Sequence, residues 1–543
     1  MSRHWTASYG TIPAEIDPAK YSSVNAMLKQ AMLEHASSTA FHSFGQRLTY
    51  AEMDQLSDAF CAYLQHELGV KKGDRVAVMM PNMMAFPIAF LGIIKAGAVQ
   101  VGVNPLYTAR ELQHQLNDAG CEVVVIYSGS TPTLADIVSD TGIKKVVSAE
   151  LGDGTDAPVP SPPVDTRLKN VTSLPDALRQ GAKLTAIPVD VGLDDLLFLQ
   201  YTGGTTGLSK GACLSHGNLV ANTEQFKSFN ENGVRPGEEV IVTAIPLYHI
   251  FALMVNFITY FSIGAENWLV TNPRDMDSFV DVLKRAKPTV FMGVNTLYAG
   301  LCMHPELENV DWSRLAVAGG GGAAVIGEVS DRWKAVTGRF ICEGYGLSET
   351  GPVLSFNPSY IEDFSGTTGL PVPSTDIKLL DENDQEVAIG ESGEICAKGP
   401  QVMSGYWQND EANASVFTSD GYFRTGDIGE FDEKGFLKIV DRKKDMILVS
   451  GFNVFPNEVE SVATACPGVA ECACIGVPDE KSGEAVKLFV VPAPGAELTI
   501  EDVTAHCKAE LAAYKTPKIV RFIEELPKST VGKILRRELR DYG

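Results

Sequence analysis

The sequence predicts an α/β protein: a large N-terminal domain of α/β subdomains plus a small β subdomain, followed by a small α+β C-terminal domain. Three observations carry this. Strand-like apolar runs alternate with helix-period segments over the first 125 residues and again from Leu196, as parallel β-α-β sheets require. Short strands and turns take over in 366–440. After DRKKD (441–445) strands and helices mix again, and no internal repeat or low-complexity tract occurs.

Taken in order, RLTYAEMDQLSDAFCAYLQHEL (47–68) opens with a capping box at Thr49 and Glu52, and its apolar residues recur at helical spacing. RVAVMM (75–80) and CEVVVIYS (121–128) read as strands with helical segments between them. Residues 129–192 are rich in Pro, Gly, Asp and Thr and read as a variable surface excursion, not a domain boundary. TVFMGV (289–294) and RLAVA (314–318) are further strands, and GEICAKG (393–399) belongs to the β subdomain. Beyond the boundary, NEVESVATAC (457–466) and IEDVTAHCKAEL (500–511) read as helices, and CACIGVP (472–478) and AVKLFVVP (485–492) as strands. Residues 85–94 and 252–265 are apolar but too short to span a bilayer. Both read as buried helices, with contact of the second to a membrane surface left open.

The 543 residues suggest two to four domains or subdomains, and 45% hydrophobic with 21% charged residues is an ordinary globular balance that excludes a mostly disordered chain. Lys+Arg of 45 against Asp+Glu of 68 gives −23, the wrong sign for a general nucleic-acid binder. The ten cysteines are scattered with no CxxC pair, and Cys466, Cys472 and Cys474 match no zinc spacing, so reduced, buried thiols are expected. MSRHWTASYG has no apolar core for a secretory signal. The expected location is cytoplasmic, with a peripheral position at the inner face of the membrane left open, and the expected state is monomer or homodimer.

The densest chemistry sits in YTGGTTGLSKGA (201–212), which follows the apolar run LLFLQ (196–200). Gly203, Gly204 and Gly207 let backbone N–H groups crowd an anion. Thr202, Thr205 and Thr206 add hydroxyl donors, and Lys210 adds positive charge. It is not a Walker A loop, because Gly207 is followed by Leu-Ser-Lys.

This loop resembles the phosphate-binding signature of the adenylate-forming superfamily, which includes acyl-CoA synthetases, luciferase-like enzymes and peptide-synthetase adenylation domains. The other family motifs follow in order across residues 20–540. The resemblance is nearest to bacterial long-chain fatty acid–CoA ligases, carried by SGFNVFPNEVE (450–460), SGEAVKLFVV (482–491) and LPKSTVGKILRREL (526–539). It implies roles residue by residue. IPLYHI (245–250) places Tyr248 and His249 at the acyl pocket, with Phe251 and Leu253 beside them; FALM (251–254) lacks the tryptophan that gates the tunnel in some long-chain synthetases. AGGGGA (318–323) supplies Gly320, Gly321 and Gly322 as the strip for adenine and acyl-adenylate. EGYGLSETG (343–351) supplies Gly344, Tyr345 and Gly346 against adenine, Thr350 as a donor to the α-phosphate, and Glu349 for Mg²⁺, with Thr205 as a second metal ligand.

In DGYFRTGDIGEFDEKGFLKIVDRKKD (420–445), Asp427 and Arg442 would bind the ribose and Lys444 would be the hinge. The resemblance therefore implies domains 1–443 and 444–543, the second mobile. Ser450, Gly451 and Phe452 would enter the site for thioester formation, and Lys533 is the position of the catalytic lysine. Residues 514–543 hold eight Lys/Arg against four Asp/Glu, a basic tail in an acidic protein. The implied reaction joins a medium- or long-chain fatty acid to CoA through acyl-AMP, with ATP and CoA as co-substrates and Mg²⁺ as cofactor. The alternatives are an aryl, short-chain or sulfur-containing acid and, in a different class, a non-catalytic acyl or nucleotide sensor.

Overall fold

The protein is described from a computed structural model covering residues 3–155, 157–202, 209–450, 452–479, 481–529, 532–540 and 542. Two large sheets build most of it. The first runs Val171–Ser173, Lys145–Ala149, Val123–Tyr127, Arg75–Met79, Val99–Val103, Leu196–Thr202 and Lys210–Ser215. Its strands are parallel until the final antiparallel pair, in which Thr202 faces Lys210. Thr202 and Lys210, which flank the segment expected to cradle phosphate, thus face each other at a sheet edge. Gly203, Gly204, Thr205, Thr206 and Gly207 lie outside the described residues.

The second sheet is parallel from Ile341–Gly346 through Val317–Gly320, Val290–Gly293, Val240–Thr243 and Glu266–Leu269 to Thr39–Ser43. Antiparallel strands finish both edges. Ligands of such sheets bind beyond the carboxyl ends of the strands. The glycine strip follows Val317–Gly320, and Tyr345 closes Ile341–Gly346.

The helix Tyr50–His66 starts where the capping box placed it, with Thr49 and Glu52 bonding each other's backbone N–H groups. Such a cap is worth about 1 kcal/mol. Residues 129–192 differ from the expectation of a surface excursion. Lys145–Ala149 and Val171–Ser173 extend the first sheet, and the helix Leu174–Gly181 packs on the helix Tyr50–His66. KKVVSA (144–149) has strand-like composition, but the Pro- and Gly-rich connections around it masked its place in the sheet.

Ala85–Lys95 is a helix buried along nearly its whole length. Phe251–Thr259 is a π-helix whose residues from Ala252 on are buried. That burial removes the surface that membrane contact by 252–265 would need. No helix among the described residues is long and apolar enough to cross a membrane.

Four antiparallel strands, Asp376–Leu380, Gly393–Lys398, Phe423–Phe431 and Leu437–Arg442, form the β subdomain. Residues 447–522 form a separate sheet around Gly483–Pro492, flanked by the helices Pro456–Thr464 and Ile500–Glu510. Ile447, Val459, Leu488 and Val503 belong to a core cluster confined to this region. A polar clasp joins it to the β subdomain. Asn457 N–H donates to Asp441 Oδ2 at 2.7 Å, and Asn457 Nδ2 donates to Val440 O at 3.1 Å. Arg536 donates to Asn457 Oδ1 and Glu460 Oε2, each at 2.8 Å, and faces Asp445 at 3.5 Å. The basic tail is largely paired: Lys515 with Glu458, Lys518 with Asp479 and Lys528 with Glu471.

Candidate active site

Four acidic or basic groups converge from distant parts of the chain. Asp427 lies on Phe423–Phe431 opposite Arg442, whose Nε is 3.8 Å from Asp427 Oδ1. Tyr345 donates its hydroxyl to Asp427 Oδ2 at 2.7 Å. Burial raises the Asp427 carboxyl above its usual value, while Arg442, Tyr345, Lys533 and Lys444 pull it down. Glu349 is buried at 7% exposure, and burial also raises its carboxyl. Tyr406 donates to Glu349 Oε1 at 2.7 Å, and Thr202 Oγ1 stands 3.5 Å from the same oxygen.

Lys533 enters this group from the C-terminal region. The turn Ser529–Lys533 presents it: Ser529 N–H donates to Lys533 O at 2.7 Å, and Lys533 N–H donates back to Ser529 Oγ at 3.1 Å. Burial first and Arg442 second lower the lysine, Asp427 and Glu349 oppose them, and it comes to rest at about 8. His249 is lowered to about 4 by burial first and by Lys533 second, so its imidazole is neutral at pH 7. Phe251 N–H donates to His249 Nδ1 at 3.2 Å, fixing the ring.

The glycine strip closes one side. A Cβ on Gly321 would stand 3.3 Å from Gly344 O and 3.5 Å from the Phe251 ring, so the strip, the strand expected to face adenine and the expected acyl pocket meet there. Gly322 has φ +78°, and a Cβ on Gly346 would overlap Pro352 O. Gly320 packs against Val325 and Ile341.

Other predicted residues fall less directly. Thr350 is buried, and its hydroxyl donates to Pro352 O at 2.6 Å, serving its own turn. Leu253 is fully buried in the main core, and Tyr248 is buried with its carbonyl accepting from Gln200 at 3.1 Å. Lys444 is exposed between the β subdomain and the C-terminal sheet. Ser450, with φ +52°, and Phe452, 58% exposed, are not brought to this site, and Gly451 lies outside the described residues.

Two residues escaped the sequence reading. Tyr406 joins Glu349 to Lys210, whose Nζ is 5.2 Å from the Tyr406 ring centre. Glu343 accepts from Val325 N–H at 3.2 Å beneath the glycine strip, and burial raises its carboxyl to about 8. GYW (405–407) carries no local pattern that marks its tyrosine. Glu343 was visible only as the first letter of EGYG.

The comparisons agree with this geometry. The family model described as AMP-binding enzyme matches residues 28–407, and the AMP-binding enzyme C-terminal domain matches 458–533. A long-chain-fatty-acid–CoA ligase of Salmonella typhimurium is 48% identical, covering 100% of this chain and 98% of its own length. One of Bacillus subtilis is 37% identical, covering 98% of this chain and 97% of its own. Among solved structures, ATP-bound MatB from Rhodopseudomonas palustris has a TM-score of 0.84 at 30% identity, covering 96% of this chain and 99% of its own. The anthranilate CoA ligase AuaEII with anthranoyl-AMP has a TM-score of 0.86 at 25% identity, covering 98% of both chains. With its two family regions in order and full-length relatives on either side, the chain belongs to the AMP-binding enzymes.

Proposed function

We propose that the protein activates a medium- or long-chain fatty acid with ATP to acyl-AMP and transfers the acyl group to CoA. The observation that carries this is Lys533 set among Asp427, Glu349 and His249 at the mouth of the glycine strip. Relatives 43–48% identical across this whole chain and named long-chain-fatty-acid–CoA ligase support the acid class.

A carboxylate is a poor electrophile. In the first step its oxygen attacks the α-phosphorus of ATP and pyrophosphate leaves. In the second the CoA sulfur attacks the acyl carbonyl and AMP leaves. The first step brings two anions together, so preorganised positive charge must offset their repulsion. Lys533 supplies it, binding carboxylate and α-phosphate. Asp427 and Arg442 hold the ribose, and Tyr345, already tied to Asp427, lies against adenine beside Gly344, Gly346 and the strip Gly320–Gly322. Thr202, Lys210 and the loop between them take the phosphates.

Glu349 suits Mg²⁺: it is a hard oxygen donor whose buried charge a cation would relieve. Among the described residues no group of three or more His, Cys, Asp or Glu could hold a metal, so the ion would draw most ligands from phosphate and water. When bound it offsets negative charge on the phosphates.

With Lys533 inside and Phe452 in solvent, this orientation suits adenylation. Thioester formation would follow rotation of residues 444–543 about Lys444, bringing Ser450–Phe452 inward. Phe251 and neutral His249 line the acyl entrance.

The test is a panel of acids from acetate to oleate, with cinnamate and 3-methylthiopropionate, following AMP and acyl-CoA together. A maximum between C8 and C18 is the expected result. A maximum on an aryl acid would overturn the substrate while keeping the chemistry; a feruloyl-CoA synthase of Amycolatopsis, 35% identical over 94% of this chain, makes that arm worth running. AMP without acyl-CoA would overturn the role given to CoA.

A further inference from the structure

Tyr406 belongs to none of the motifs above, yet two of their side chains meet on it. Its hydroxyl donates to Glu349 Oε1 at 2.7 Å, and its ring lies beneath Lys210 Nζ, 5.2 Å from the centre. The backbone around it is clamped to both partners' elements. Met403 N–H donates to Glu349 O at 2.8 Å, Cys213 N–H to Gly405 O at 2.9 Å, and Trp407 N–H to Gly211 O at 2.8 Å. Tyr406 also bridges to Ala212 across the strand edge. Asn413 closes the segment from behind, accepting from Tyr406 N–H at 2.7 Å and donating to Tyr406 O at 2.9 Å. The phenol therefore has little freedom to leave either partner.

We infer that Tyr406 is a positioning residue for adenylation, its hydroxyl orienting the Glu349 carboxylate and its ring seating Lys210 beside the phosphates of ATP. This rests on the roles proposed above for Glu349 and Lys210. A carboxylate oxygen fixed by a phenol sets the plane of the whole group, and so the direction in which its other oxygen faces a cation. A lysine over an aromatic face keeps its charge while losing rotational freedom. One side chain thereby couples the metal carboxylate to the phosphate lysine across 139 positions of sequence, from Lys210 to Glu349.

The test compares wild type, Tyr406→Phe and Tyr406→Leu by calorimetric binding of ATP with Mg²⁺, ATP with EDTA, and AMP. The Mg²⁺ dependence of ATP–pyrophosphate exchange and a melting curve accompany it. Tyr406→Phe keeps the ring and loses one hydrogen bond to a charged group, so half-saturating Mg²⁺ should rise about tenfold. Metal-free ATP and AMP should bind as in wild type. Tyr406→Leu should also weaken metal-free ATP, by about two- to fivefold, as Lys210 loses its seat. An unchanged Mg²⁺ dependence in Tyr406→Phe overturns the inference. So does an equal loss for AMP and MgATP, the mark of a merely structural role. If wild type exchanged pyrophosphate with no acid, the proposed function would fall while the nucleotide-binding comparison still judged Tyr406.

Discussion

Gly532 offers the sharpest test of how Lys533 is docked. Its φ is +77°, and a Cβ there would collide with Thr296 Oγ1 while standing 3.6 Å from Thr296 Cβ and Val294 Cγ2. Thr296 sits in the first turn of the helix Asn295–Cys302, where a β-branched side chain has few rotamers to escape into. Gly532→Ala therefore incurs two costs. The left-handed conformation costs an alanine about 1–2 kcal/mol, but the turn carries that cost in either orientation of the C-terminal region. The collision, of the order of 1–3 kcal/mol for an overpacked site, exists only while Lys533 is docked. The second cost alone should separate the half-reactions, by about 5- to 150-fold at 1.36 kcal/mol per decade. ATP–pyrophosphate exchange should fall by that factor, while CoA-dependent consumption of supplied acyl-adenylate stays near wild type. Thr296→Ala in the same chain removes Oγ1 and should restore most of the exchange. A fall below threefold, equal losses in both half-reactions, or no rescue by Thr296→Ala would refute the reasoning.

Lys533→Ala should lower pyrophosphate exchange by about 10²–10³-fold, the usual loss of one preorganised donor, and spare thioester formation from acyl-adenylate. Burial holds Lys533 near 8, so it is charged below that pH and neutral above it. Exchange should decline as pH rises through about 8, and Lys533→Arg should remove that limb from the pH–rate profile. Asp427→Ala removes the acceptor opposite Arg442 and Tyr345 and should raise the KM for ATP about 10- to 100-fold in steady-state kinetics. Arg536→Ala removes the guanidinium shared by Asp441, Asp445 and Glu460 and should destabilise the C-terminal region by about 3 kcal/mol, read by denaturant unfolding and by new proteolytic cleavage after residue 443.

Local rules carried far along this chain. Thr49 with Glu52 started a helix where expected, and the strands around residues 75, 123, 290, 472 and 485 fell within a few residues of their apolar runs. Their signals are contained in adjacent side chains. Tertiary pairing was less legible. Lys145–Ala149 and Val171–Ser173 are short, and their place is set by neighbours in the sheet rather than by their own composition. The π-helix at Phe251–Thr259 looks like any apolar helix in sequence; a backbone widened to i→i+5 bonds leaves no compositional trace.

The site shows the same division. Motif order pointed to Lys533, Asp427 and Glu349, but only the folded chain shows that they share one electrostatic neighbourhood. Thr350, whose motif marks it as a donor to the α-phosphate, has its hydroxyl bonded to Pro352 O within its own turn, a contact the motif does not reveal. Tyr406 contacts Glu349 and Lys210, both more than fifty residues earlier in the chain, which no window on the sequence captures.

The wide helix also ties the position of the Phe251 ring to the register of its own backbone. Phe251 touches the glycine strip at its start, while Asn256 O, further along, accepts from Asn267 Nδ2 at 2.9 Å instead of serving an ordinary ladder alone. Such a bulge behaves as an inserted residue that regular α-geometry would reject. Deleting one residue there would let the segment relax into a tighter coil and turn its two ends about 100° relative to each other, since each residue advances a helix by 1/3.6 of a turn. The chain would gain regularity and swing the Phe251 ring off Gly321. A one-residue change in the length of this helix would therefore alter where the Phe251 ring meets the glycine strip.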